Sequence, residues 1–278
     1  MVTQEQRKRQ LAREKFLRQQ QRRTAARRKA NVRNSVIASV LGVIVVGSVV
    51  SYATGVFKND DSKSNASAEV TPSATPSKAA DPCEKAAEGA VKSLSWKKEP
   101  AMTIDKSAKY EMTLATTCGD IGIALKTSAA PHTVNSFDFL ASEGYFDHTK
   151  CHRLTTNGIY VLQCGDPKGT GTGGPGYTIP DENLKDTTLK GGVYPAGTLA
   201  MANQYNAQTK QGRNTGGSQF FLVYQDSQLP ADYTPFGTIS KSGLTVLKKI
   251  AAAGESTGQG DGAPNATAVI NKMTVTKS

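Results

Sequence analysis

The sequence predicts a mainly β domain, closed as an antiparallel barrel or packed as a sandwich, that carries two helices. Three observations lead there. Residues 110–116, 121–125 and 268–276 alternate apolar and polar side chains, the period of a half-buried strand. Short apolar runs at 199–202 and 220–224 flank a polar, Gly-rich loop that cannot pack as a core, and other short strands with Gly-rich connections follow Gly144. Only two segments, one beginning at Pro131 and one at 244–252, keep a helical spacing.

Taken in order, 110–116 is a strand, Cys118, Gly119 and Asp120 make a turn, and 121–125 returns as a second strand. Pro131 suits the first turn of a helix, where its missing N–H costs nothing. Val134, Phe137, Leu140 and Ala141 then share a face, and Gly144 ends the helix. In 244–252, Leu244, Leu247, Ile250 and Ala251 share a face and Gly254 follows. Residues 268–276 are placed to close a sheet. Strands with two helices fit a closed antiparallel barrel capped at its ends, although periodicity alone does not separate barrel from sandwich.

The first hundred residues differ in kind. Residues 1–34 hold twelve basic and two acidic side chains, a net +10 out of +11 for the whole chain. They lack apolar side chains for a core and read as a solvated or unstructured basic tail. The remainder is nearly neutral, so nucleic-acid binding by the folded part is not expected. Residues 35–57 carry no charge and are long enough, at about 1.5 Å per residue, to span the roughly 30 Å hydrocarbon layer. A signal peptide has a shorter basic flank, a shorter apolar stretch and a small-x-small cleavage site; a retained transmembrane anchor fits better. The positive flank then sets the tail in the cytoplasm and residues 58–278 outside. Residues 58–100, rich in Ser, Thr, Ala, Pro and charged residues, read as a flexible linker, and the folded domain as 101–278.

Some motifs carry no function. Gly169, Gly171 and Gly174 match a dinucleotide-loop spacing, but Pro175 and Gly176 follow where a helix must open. Ser218 has no nucleophile-elbow context. His148, Cys151 and His152 match no standard zinc spacing, and His152 reads as a buried, hydrogen-bonded histidine. No metal site and no organic cofactor are expected.

Three blocks remain: His152-Arg153-Leu154, then Leu162-Gln163-Cys164-Gly165-Asp166, then the stretch from Met201-Ala202-Asn203 to Ser218-Gln219-Phe220-Phe221. In this order they resemble the cyclophilins, the β-barrel peptidyl-prolyl isomerases, from about Tyr110 to the C-terminus. The resemblance implies a closed eight-stranded barrel with two helices. It implies Arg153 as the catalytic arginine and Gln163 as the glutamine that orients it. It also implies Phe221 as the floor of a proline pocket and Leu229 as its aliphatic wall. Tyr160, Val161 and Tyr233 stand at further wall positions, and Ala202, Asn203, Gln219 and Gly171 along the groove that holds the substrate chain. Two extra residues lie between Arg153 and Gln163, Tyr160 and Val161 replace a Phe-Met pair, Tyr233 replaces a common histidine, and Gln204 an alanine. These departures, with the extracytoplasmic setting, look like the cell-envelope cyclophilins of bacteria.

The chemistry fits those residue types. Rotation about a peptide C–N bond is opposed by a barrier of about 18–20 kcal/mol that arises from resonance, and X-Pro bonds populate both isomers. A cation that donates a hydrogen bond toward the prolyl nitrogen weakens the resonance and favours the twisted state. A guanidinium stays charged and offers directed donors. The expected activity is therefore isomerisation of X-Pro bonds in exported or envelope proteins; the alternative is a tethered proline-peptide-binding chaperone with little turnover. Strong binders of cyclosporin-type macrocycles carry a tryptophan at the pocket rim, where this chain has Gln228, so weak cyclosporin binding is expected.

Four cysteines, Cys83, Cys118, Cys151 and Cys164, admit three full pairings. An oxidising setting favours disulfides. Neighbouring strands favour Cys151 with Cys164, leaving Cys83 with Cys118. If Arg153 faces Gln163, Cys151 and Cys164 are one residue out of step, which argues the other way. Reduced buried thiols are the alternative.

Overall fold

A computed structural model describes residues 80–278. The basic segment 1–34, the apolar stretch 35–57 and residues 58–79 lie outside the described residues. Among those described, no helix is long and apolar enough to cross a membrane.

Strands β1 (Tyr110–Thr116) and β2 (Gly119–Leu125) form an antiparallel hairpin with Thr116 opposite Gly119. The turn is tighter than the alternation suggests, because Gly119 takes φ 122° and already pairs. Tyr110, Met112 and Leu114 on β1 and Ile121, Ile123 and Leu125 on β2 point inward, as period-two alternation requires. Helix α1 (Pro131–Ser142) buries Val134, Phe137, Leu140 and Ala141. Ala130 offers no side-chain cap; instead the N–H groups of His132 and Thr133 donate to the Glu182 carboxylate at 3.1 and 2.9 Å, a negative charge at the positive end of the helix. Helix α2 (Lys241–Ala252) begins three residues before the apolar periodicity because Ser240 caps it, its hydroxyl accepting from the Gly243 N–H at 3.0 Å.

The remaining strands are β3 (Thr149–Lys150), β4 (Arg153–Thr155), β5 (Val161–Cys164), β6 (Val193–Tyr194), β7 (Thr198–Met201), β8 (Phe220–Val223), β9 (Ser227–Gln228), β10 (Pro235–Ile239), β11 (Asp261–Gly262) and β12 (Val269–Lys277). Ten of the described strands form one antiparallel sheet in the order β11-β4-β5-β8-β7-β10-β2-β1-β12-β3, and β6 pairs only with β9. The sheet is a curled half-barrel with β11 and β3 at the ends of its order, and the expected closure of an eight-stranded barrel is not seen as an unbroken ladder. The curl is enforced by the chain. β3 and β4 lie near opposite ends of the order, yet only Cys151 and His152 separate them. The Cys151 N–H donates to the Ala268 carbonyl beside β12, and the next residue, His152, donates to Gln163 on β5. The strand changes partner there, so covalent continuity, not an unbroken ladder, joins the two ends.

Inside the curl, Phe137 stacks on Phe146 at 5.2 Å and meets Phe220 and Phe236 at 5.6 and 4.7 Å. Leu154, Leu162, Leu222 and Leu199 continue this core across β4, β5, β8 and β7. The other face of the same four strands is free to build a site.

Residues 80–100 correct the expected domain boundary. They contain no helix or strand, but they are not a free linker. Cys83 is bonded to Cys118, the Glu84 N–H donates to Thr117 O at 2.8 Å, and the Trp96 N–H donates to Pro175 O at 2.8 Å. The Trp96 indole meets Phe139 edge-on at 5.0 Å and Tyr145 at 5.9 Å. The folded unit therefore begins before Ala101. A bridge across 35 residues restricts the unfolded chain by about 3–4 kcal/mol. Replacing both Cys83 and Cys118 by Ser should lower the melting temperature by roughly 10 °C. An unchanged melting temperature would show that the strap contributes no stability.

Candidate active site

Register builds the site. Arg153 on β4 pairs with Gln163 on β5, Gln163 with Phe221 on β8, and Phe221 with Ala200 on β7. These four residues form one lateral row, on the face opposite Leu154, Leu162 and Leu222. Neighbouring strands lie about 4.8 Å apart, so the row sets a cation, an amide, an aromatic ring and a small side chain side by side. The two extra residues between Arg153 and Gln163 leave this register intact; they are taken up beyond β4, in the loop around Gly158, which takes φ 77°.

At one end of the row lies an apolar cluster, the candidate pocket. Val161, Tyr194, Ala200, Phe221 and Val223 form its buried base, and Ile159, Ala202, Leu229 and Tyr233 pack on it. Phe221 meets Tyr233 edge-on at 5.4 Å. Tyr194 lies beneath both, its hydroxyl donating to Tyr233 O at 2.7 Å; burial pushes that phenol up to about 12. Tyr160 does not join this pocket. Strand alternation from Gln163 puts Val161 on the site face and Tyr160 on the other, where it meets Tyr224 at 5.9 Å. Ile159 takes the wall position instead. Counting back by twos from Gln163 would have found it. Tyr194, on a two-residue strand between glycines and a proline, has no comparable signal.

At the other end, a chain of hydrogen bonds runs along the groove. Arg153 Nη1 donates to Gln163 Oε1 at 3.2 Å, Gln163 Nε2 donates to Gln219 Oε1 at 2.9 Å, and Gln219 Nε2 donates to Gly173 O at 2.9 Å. Gln163, Gly171, Ala202, Asn203, Gln204 and Gln219 line an open groove of about 670 Å³ beside the pocket. The Asn203 amide is spent on joining its loop to the one before β10, donating to Asp232 O at 2.8 Å. Arg213 ties the same loop down, stacked 3.4 Å over the Tyr205 ring and paired with Asp232 and Asp181.

The Gly171 wall is shaped by Asp166, which sequence reasoning left without a role. Its side chain is wholly buried. One oxygen accepts from Lys168 N–H, the other from the N–H groups of Thr170, Gly171 and Thr172 at 2.9, 2.7 and 3.1 Å. Burial opposes its ionisation, but backbone donors from Gly173, Lys168, Thr170 and Gly171 outweigh it and hold the carboxyl below the usual range. Gly173 is required beside it, since a Cβ there would fall 1.9 Å from the carboxylate.

Arg153 is also held by a residue the motifs did not suggest. Asp261 accepts from Nε and Nη2, both at 2.8 Å. Those bonds raise the arginine further and hold the Asp261 carboxyl below its ordinary value. The His152 ring nitrogens are buried, but neither has a hydrogen-bond partner, which corrects the hydrogen-bonded histidine expected there. Burial pushes its imidazole down, so a neutral ring fills the space beneath Gly171. All four cysteines are bonded, Cys83 to Cys118 and Cys151 to Cys164. The offset register does not prevent the second bridge, because Cys151 lies ahead of β4, where the strand has already left the ladder. Cys151 is thereby unavailable as a metal ligand, and among the described residues no cluster of three His, Cys, Asp or Glu could hold an ion.

The half-barrel thus sets an apolar pocket and a tethered guanidinium on one row of side chains. The family model described as cyclophilin type peptidyl-prolyl cis-trans isomerase/CLD matches residues 111–275, and the chain belongs to this family. It is 50% identical over 174 residues to the probable peptidyl-prolyl cis-trans isomerase B of Mycobacterium leprae, which covers 60% of this chain and 57% of that protein. It is 49% identical over 174 residues to the protein of the same description from Mycobacterium tuberculosis, covering 60% and 54%. Peptidyl-prolyl cis-trans isomerase B of Bacillus subtilis is 41% identical over 131 residues, covering 47% of this chain and 82% of that protein. The chain thus spans little more than half the length of its mycobacterial relatives.

Proposed function

We propose that this chain is a peptidyl-prolyl cis-trans isomerase in which Arg153 stabilises the twisted X-Pro bond. The reading is carried by the row Arg153, Gln163 and Phe221, which sets a directed cation one strand beyond an amide that borders an apolar pocket. Phe221, Val161, Leu229 and Tyr233 grip the proline ring. Gln219, Ala202 and the backbone beside Asn203 hold the flanking chain. A remaining N–H of Arg153 reaches toward the prolyl nitrogen as it becomes pyramidal, so binding favours the twisted state over either planar isomer. No atom of the enzyme forms a covalent bond in this scheme. A protease-coupled assay on X-Pro peptides tests it: acceleration in proportion to protein concentration is expected. Peptide binding without acceleration would favour a tethered chaperone with little turnover.

The substrates proposed are X-Pro segments of exported or envelope proteins, reached from a membrane anchor at 35–57 with the basic tail in the cytoplasm. Two disulfides support an oxidising setting, and the charge asymmetry about 35–57 supports the orientation. Protease added to intact cells should cleave the stretch 58–79; full protection until lysis would reverse the topology.

Cyclosporin-type macrocycles should inhibit weakly. Gln228 at the rim is exposed, and its amide already donates to Gly191 O at 2.8 Å. An indole would supply rigid apolar area of roughly 150–250 Å². Gln228→Trp should tighten inhibition about tenfold or more, for which about 1.4 kcal/mol suffices. Tight inhibition of the native chain, or no gain from tryptophan, would refute this rim assignment.

A further inference from the structure

We infer that Asp261 is a positioning residue for the reaction, which sets the plane of the Arg153 guanidinium; this rests on the proposed role of Arg153. A guanidinium has five N–H donors in one plane. Asp261 takes two of them, from Nε and Nη2 at 2.8 Å each, and Gln163 takes a third, from Nη1 at 3.2 Å. Three fixed bonds from two directions define the plane and leave one N–H on Nη1 and one on Nη2 for a substrate. An untethered arginine would have to give up the rotamer freedom of a long side chain in the transition state; here that ordering precedes binding.

Asp261 is itself placed. It stands opposite Thr155 in the β11–β4 ladder, two residues from Arg153 on the same face, within diagonal reach. Its loop is braced by the buried Glu255 carboxylate, which accepts from Thr257 N–H and hydroxyl at 2.6 and 2.7 Å and from Gly260 N–H at 2.8 Å. The Gly260 carbonyl accepts from Thr156 N–H at 2.9 Å, fastening the loop to the end of β4. The Arg153 and Asp261 side chains are 39% and 56% exposed. Screening by water makes such a pair a poor contributor to stability, so its consequence is orientation. It also neutralises much of the arginine's charge, so the site offers directed N–H groups rather than a broad positive field.

The test is steady-state kinetics on full-length Asp261→Ala, Asp261→Glu, Arg153→Ala, Arg153→Lys and the double variant Arg153→Lys/Asp261→Ala, each checked for an unchanged melting temperature. Asp261→Ala should lower kcat about tenfold with KM within twofold, and Asp261→Glu should recover part of the loss. Lysine cannot make the bidentate pair, so Asp261→Ala should cost nothing further in the Arg153→Lys background. A full rate in Asp261→Ala, while Arg153→Ala remains impaired, overturns the positioning role alone. An equal tenfold loss in the lysine background also overturns it, since that would mark a general structural effect. A full rate in Arg153→Ala overturns the underlying reading of the site.

Discussion

Arg153→Ala should lower kcat/KM for X-Pro isomerisation by about 10²–10³, the usual loss when one preorganised donor to a transition state is removed. The fold should survive, because the side chain lies on the outer face of β4, Asp261 is exposed, and Gln163 keeps its bond to Gln219. Peptide affinity should change little, since the pocket base of Val161, Tyr194, Ala200, Phe221 and Val223 is untouched. The loss should therefore appear in kcat and not in KM, the pattern of an interaction made mainly in the transition state. Arg153→Lys keeps the charge but loses the planar fork, and should fall between wild type and alanine. An unimpaired rate in a folded Arg153→Ala protein would remove the residue from the mechanism.

Asp166→Asn should destabilise the protein by about 3–4 kcal/mol, since each hydrogen bond to a buried charge contributes about 1.5–3 kcal/mol and an amide turns two N–H groups toward existing donors. The Gly171 wall should loosen at the same time, raising KM for longer peptides that occupy the groove. The effect has a defined pH signature. The folded-state carboxyl lies below its usual range, so its contribution is complete above the unfolded value, about 3.9. It is lost as pH falls through the folded value, where the unfolded chain binds the extra proton. Urea unfolding of the wild type should therefore weaken with acid below about pH 4, by up to about 1.4 kcal/mol per pH unit for this group. Asp166→Asn should show a shallower acid slope. Equal slopes would mean that the Asp166 carboxylate is not the group that titrates.

The sequence makes legible those parts of the fold where a side chain's own period decides its place. Pro131 with Val134, Phe137 and Leu140 specifies α1, and alternation specifies β1, β2 and β12, each within a few residues. The hairpin that faces Arg153 with Gln163 was readable from two motifs ten residues apart. Where partners are distant or are backbone, the sequence is silent. Asp261 lies 108 residues from Arg153 in a polar, Gly-rich loop. The donors around Asp166 are main-chain N–H groups, which have no residue identity. Trp96 is a lone aromatic among polar residues, and its contacts with Phe139 and Tyr145, together with the Cys83–Cys118 bridge, turn a supposed linker into part of the domain. The half-barrel's curl was not legible for a related reason: the change of partner at Cys151 and His152 depends on which strands the curl brings near, a property of the whole sheet.

The most direct test of the account is exchange spectroscopy by NMR on an X-Pro peptide with substoichiometric protein, because it observes binding and isomerisation in one sample. Uncatalysed exchange takes tens to hundreds of seconds at 25 °C. The account predicts cis–trans exchange cross-peaks on a sub-second timescale with the wild-type chain, and peptide shifts without those cross-peaks with Arg153→Ala. Binding by the wild type with exchange left at the uncatalysed rate, or cross-peaks of equal intensity in Arg153→Ala, would contradict it.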